Sequence, residues 1–193
     1  MYPTIEVPFE FTPFSVMSKT EAEEYYEWFL SIIPQRIELL QENVELSGSH
    51  VQLDFSQDSL ISLWEWFIPR IEQKKMTIEE INEELDLVPD WMRPEVEQNV
   101  LKFSRDTETQ IIDIGIYFSS VLIHSSSKLK WTVINKPRNH VDVNQPLLAG
   151  TGKIRLNPIR VVDVCAARAL SDVGNINMLN DLYVWWREKL LNH

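Results

Sequence analysis

The chain has 193 residues, 44% of them hydrophobic and 24% charged, with only five glycines and ten prolines. That length and composition provide one domain with a real buried core and exclude disordered and fibrous classes. The formal net charge is −11, and phosphate binding needs a basic face that releases counterions, so nucleic acid is a poor partner.

The charge is unevenly spread. Residues 1–108 hold 23 acidic against 8 basic side chains, and residues 109–193 hold 6 against 10. One reading is that the acidic residues solvate the outer faces of N-terminal helices. The other is that the acidic half meets a basic protein partner, with its field speeding encounter.

Residues 1–17, with three prolines among aromatic and β-branched residues, suit an extended arm lying over the domain. Ser18 and Glu21 then have capping-box spacing. Tyr25, Phe29, Ile32, Ile33, Ile37, Leu40 and Val44 make one apolar face, so a long helix is expected to about Leu46, kinked or divided by Pro34. Val51–Phe55 alternates briefly, and Ser56, Asp58 or Ser59 can cap a second helix with Leu60, Leu63, Trp64, Phe67 and Ile71 in its stripe. Thr77 and Glu80 repeat the capping-box spacing before a short acidic helix, IEEINEEL. LVPDWMRPE is a proline-bounded connector. It divides the single domain, residues 1–193, into a mainly helical acidic part, 1–90, and an α/β part, 91–193. Glu95–Phe103 reads as one more short helix.

Thr107–His124 is the segment that organises the rest. Ile111, Ile114, Phe118 and Val121 form one stripe, Ile112, Ile116 and Ile123 another, and Gly115 leaves a flat spot for a close neighbour. A helix apolar on nearly every side is a core helix when it is too short and interrupted to span a bilayer. Asp106 or Thr107 is placed to cap it. Leu129–Ile134 then alternates as a strand, Asn135–His140 is turn chemistry, and Val141–Val143 and Pro146–Ala149 read as short extended pieces. Gly150–Gly152 turns the chain so that Lys153–Leu156 pairs back. Asn157-Pro158 starts a helix facing Ile159, Val162, Ala166 and Ala169 inward, until Asp172-Val173-Gly174 breaks it. A last helix spans about Asn177–Leu191. The fold class is therefore α+β: helix-rich, with a small, mostly antiparallel sheet packed on a buried central helix.

Catalytic and cofactor signatures are not found in the sequence. His50, His124, His140 and His193 have no metal-ligand spacing, and no G-x-S-x-G elbow, phosphate loop or dinucleotide fingerprint occurs. No catalytic residue, metal or cofactor is assigned. The lone Cys165 excludes an internal disulfide and reads as a small buried hydrophobe. Asp113, set in the most apolar helix, is expected to meet a base such as Arg160 or Arg168. One polar concentration stands out: Lys130, Trp131, Lys136, Arg138, His140, Asn144 and Gln145 around a turn, with Arg160 one turn into the following helix. Such a set could hold an acidic peptide, a carboxylate or a phosphate; it could equally be a solvated hairpin edge. There is no charged leader followed by an apolar segment, and no membrane span, so a soluble cytoplasmic protein is expected.

Four ordered segments carry a resemblance: LDFSQDSLISLWEWF at Leu53–Phe67, GIYFSSVL at Gly115–Leu122, LKW at Leu129–Trp131 and LNPIRVV at Leu156–Val162. Together they resemble a family of uncharacterised bacterial proteins, over about Leu53 to Leu170. The chain departs from the family pattern at Ser119-Ser120, where Gly-Glu is usual. The resemblance implies a shared fold and a bacterial cytosolic setting, with a loose association with immunity-type partners of toxins. The expected function is a non-enzymatic binding protein. The alternative is a small-molecule-binding or hydrolytic domain using the polar 130–145 region with Asp113 or His124.

Overall fold

In the computed structural model, which describes residues 2–171 and 174–192, Ser18 opens a long helix, α1 (Lys19–Leu46). The reciprocal Ser18–Glu21 capping box satisfies two backbone donors at that end. α1 is not divided at Pro34, because that proline is exposed, where water can take the carbonyl left free, and Phe29 and Leu40 are buried on either side of it. Val51, Leu53 and Phe55 pack on the core without strand pairing, and Phe55 turns the chain at φ +62°. Gln41 takes the partner's place, its Oε1 accepting from Leu53 N at 2.8 Å and its Nε2 donating to Val51 O at 3.1 Å. Ser56 caps α2 (Gln57–Phe67), and Pro69 lies in the 3-10 turn that follows.

Residues 73–103 form a lobe of their own. β1 (Gln73–Lys75) pairs antiparallel with β2 (Leu101–Phe103), and between them lie α3 (Ile78–Leu87) and α4 (Arg93–Gln98). The helix expected over Glu95–Phe103 thus stops at Gln98, because Leu101–Phe103 is taken up by pairing with β1. The acidic Glu80 locks the lobe's base. Its carboxylate accepts from Lys102 and Lys74 Nζ, each at 2.9 Å, and from Thr77 N at 2.9 Å. Lys102 above all, then the Thr77 amide and Lys74, pull its pKa from 4.5 to about 2. A carboxylate depressed on folding stabilises the fold above its unfolded pKa, and that contribution fades as pH falls toward the folded value. We therefore expect the Thr77 amide resonance to shift and α3 to lose protection as pH falls from about 4.5 toward 2. Two-dimensional NMR would read this, and Glu80→Gln should remove the transition.

α5 (Arg105–Ser125) is the central helix, and Ile111 to Leu122 are buried on it with the exception of Ile112. Its cap is Ser104, whose Oγ accepts from Thr107 N at 3.2 Å; Asp106 and Thr107, the expected caps, lie within the first turn. β3 (Lys130–Val133), β4 (Pro146–Ala149) and β5 (Arg155–Leu156) form an antiparallel sheet in that order. Val141–Val143, expected as extended, is a turn, since Asn144 follows at φ +62° and its N–H closes onto Ile134 O at 2.7 Å. α6 (Pro158–Ala169) starts at an Asn157 cap, and α7 (Met178–Asn192) closes the fold. The expected break at Asp172-Val173-Gly174 lies partly outside the described residues. α6 crosses α5 at Gly115, where a Cβ would come within 2.8 Å of Ile159 Cα. One apolar core runs from Leu40 and Trp64 through Phe118 to Leu179 and Leu190, so residues before and after the connector share it. The fold is thus helix-rich α+β with small antiparallel sheets, and no described helix is long and apolar enough to cross a membrane.

Candidate functional site

The expected polar cluster is assembled, but its donors are largely engaged within the fold and Asn144 is buried. Asn144 is buried; its Nδ2 donates to Phe14 O at 2.7 Å and Met17 O at 3.2 Å, and its Oδ1 accepts from Asn135 at 3.0 Å. Arg138 also donates to Met17 O, at 2.7 Å. Two of the expected ligand residues thus grip the carbonyls of the N-terminal arm. His140 Nδ1 accepts from Asp142 N at 3.0 Å and shapes the turn. Gln145 and Arg160 meet through Asn157 and Asp142: Asn157 Nδ2 donates to Gln145 Oε1 at 2.8 Å and to Asp142 Oδ1 at 2.9 Å. Arg160 binds the same Asp142 oxygen at 2.9 Å. Trp131 packs edge-on against Phe29, ring centroids 5.1 Å apart, while Lys130 and Lys136 are exposed. What the cluster leaves open is a shallow depression of about 410 Å³ between Phe14 and Ser15 of the arm and Arg138, His140 and Gln145.

Asp113 pairs with neither Arg160 nor Arg168. Its carboxylate takes both forks of Arg36, Nε at 2.7 Å and a terminal nitrogen at 2.6 Å, and accepts from the Tyr2 hydroxyl at 2.5 Å. Arg36 was invisible as the partner because it lies 77 residues upstream, on the core-facing side of α1. The same guanidinium donates to Pro3 O at 2.9 Å, and Tyr2 N donates to Asp106 at 3.0 Å. Burial pushes the Asp113 and Tyr2 pKa values up, while Arg36 opposes both. With Asp113 at 0% and Arg36 at 4% exposure, the group is a buried lock on the start of the chain and does not reach a surface. Phe118 is also fully buried and Gly115 lies against Ile159, so neither lines an open cleft. His124 binds Ser120 O at 3.0 Å and stacks on Phe55 at 4.4 Å. Cys165 is buried, and its thiol is pushed up to about 11 by burial.

A groove that sequence reasoning missed lies beneath the arm. It encloses about 520 Å³ among the arm's Phe11 and Phe14, the aromatic residues Tyr25 and Trp28 of α1, Ile111 of α5 and Ile159 of α6. Its charged lining comes from Glu108, Arg160 and Asp163. Burial raises the pKa of both acids, opposed at Glu108 by Lys102 and at Asp163 by Arg160, and lifts Tyr25 to about 12. The aromatic spacing of arm and helix was legible; the gap left between them was not, because it depends on how the arm is tied at its two ends.

A second surface is the lobe. α3 buries none of its residues, and Ile78, Leu87 and Trp91 are 75%, 80% and 78% exposed. Between Thr77 and Gln98 there are eight acidic side chains and one basic one, Arg93. Among the described residues no three His, Cys, Asp or Glu side chains are placed to hold a metal ion.

Fold and surfaces together define a helix-rich α+β domain with one acidic projecting lobe and one aromatic groove. Comparison with family models, curated proteins and solved structures finds no match to this chain.

Proposed function

We propose that this chain is a non-enzymatic binding protein whose acidic lobe docks a basic protein partner. The observation that carries this is the pairing of Leu87 and Trp91, both about four-fifths exposed at the turn between α3 and α4, with a surrounding excess of carboxylates. Large apolar side chains left in water beside one sign of charge mark interaction surfaces, and tryptophan is a frequent anchor of binding energy. The carboxylates would steer a basic partner, and Leu87 and Trp91 would then enter an apolar slot on it. The resemblance over Leu53–Leu170 is in keeping with this reading, adding a bacterial cytoplasmic setting and an immunity-type role. The lock at Asp113 supports it too, since the most buried carboxylate among the described residues is committed to holding the fold.

The test joins capture to substitution. Wild-type chain and a Leu87→Ser/Trp91→Ser variant serve as baits in host lysate at low ionic strength, and a captured protein is purified and titrated back by calorimetry. The expected result is a basic protein whose affinity falls at least about tenfold in the variant and weakens as salt is raised. Both side chains are exposed, so thermal unfolding should be nearly unchanged. Equal binding by the two baits, no stoichiometric partner, or self-association through the lobe on sedimentation would each rule the reading out.

A further inference from the structure

We propose that the groove beneath the N-terminal arm is a second binding site, and that its ligand is an apolar organic cation. It uses different residues from the lobe and stands apart from the protein-docking reading.

The cavity, about 520 Å³, is of a size that encloses most of a small organic molecule. One wall is aromatic and tightly ordered. Phe14 meets Tyr25 edge-on at 4.9 Å, Phe11 meets Tyr25 at 5.7 Å, and Tyr25 meets Trp28 at 5.2 Å. Phe11, which lines the groove and meets Phe14 and Tyr25 edge-on, is 46% exposed, so apolar surface is left open on the arm. Aromatic faces carry negative quadrupole potential and attract cations, most strongly where water is excluded.

Charge selects the same ligand. Glu108 on α5 and Asp163 on α6, both exposed residues, also line the groove. Arg160 lines it as well, but its guanidinium is paired at 2.9 Å with Asp142, which is not part of the lining. Lys102 and Lys74, the other cations felt by Glu108, are each held at 2.9 Å by Glu80 and do not line the groove. The lining therefore has a surplus of carboxylate beside an aromatic wall. A cationic head with an aromatic or branched apolar body satisfies both, whereas an anion meets repulsion and a neutral molecule gains only burial.

Benzyltrimethylammonium, benzyl alcohol and phenylmethanesulfonate make a probe series differing in charge on one ring. Calorimetry on the full chain, with the indole N–H resonances followed by NMR, should show the cation binding at least about tenfold tighter than either other probe. Glu108→Gln with Asp163→Asn keeps side-chain shape and should weaken the cation about tenfold while leaving benzyl alcohol unchanged. Trp28→Leu should weaken it further, and the carboxamide variant decides the matter if that protein does not fold. The proposal fails if the sulfonate or the alcohol binds as tightly as the cation. It also fails if the cation does not bind at about 10 mM, or if the carboxamide variant binds it as the wild type does.

Discussion

Replacing Arg36 with methionine is expected to lower the unfolding free energy by about 3–5 kcal/mol. The guanidinium has 4% exposure and is bound to a carboxylate with none, so its removal strands the Asp113 charge inside the core. Burial already raises the Asp113 pKa, and without Arg36 nothing cationic remains in direct contact with it. The sign of the pH effect follows. A carboxyl whose folded pKa lies above its unfolded value contributes stability below the unfolded value and loses it as pH rises through the folded one. Arg36→Met should therefore be least destabilised in acid and progressively worse toward neutrality. Combining it with Asp113→Leu and Tyr2→Phe removes every member of the group and should recover most of the loss, since an apolar set of similar size leaves no orphaned charge or hydroxyl. Urea unfolding at several pH values checks both statements. A single variant within about 1 kcal/mol of wild type would mean the pair is not desolvated.

Gly115→Val is expected to cost about 3 kcal/mol. Glycine inside a helix ordinarily costs about 1 kcal/mol relative to alanine, so on propensity alone a substitution here should help. Packing decides otherwise. A Cβ at this position would lie 2.8 Å from Ile159 Cα and 3.1 Å from Ile159 N, and that obstacle is helix backbone, which cannot swing aside. α6 would have to lift from α5, opening the seam under Val162 and Ala166. Gly174→Ala is the control, since its Cβ meets nothing within 4 Å among the described residues, and it should stay within about 0.5 kcal/mol. If both variants unfold at the same denaturant concentration, the close crossing is not the constraint inferred.

Much of the fold was legible because it rests on local chemistry. Ser18, Ser56, Thr77 and Asn157 cap the helices they precede by side-chain to backbone bonds spanning three residues, and such signals sit within one turn of sequence. The flat spot at Gly115 was also readable, since only a missing side chain in a wholly apolar helix calls for a close neighbour. Legibility ended where a residue's partner lay far away. Asp113 offered no local clue that its base would be Arg36, and Val141–Val143 alternates yet turns, because Asn144 closes the loop onto Ile134 and the arm. Leu101–Phe103 followed a helical segment but was claimed by β1, some 26 to 30 residues upstream. The same limit applied to the site. The residues of the polar turn were identified from composition, but their donors were directed at Phe14 and Met17, more than a hundred residues away, while the groove those contacts help frame had no signature of its own.

The arm's two anchors also set an order of events during synthesis. Tyr2 reaches Asp113 across 111 residues, and Phe14 reaches Asn144 across 130. The arm is therefore made well before the residues that hold it, and is among the last segments to find its place. Until residue 144 has emerged, the aromatic side chains of the arm and the matching stripe of α1 have no finished surface to rest on. That interval is when a nascent chain of this protein is most open to chaperones, and to mispairing with its neighbours.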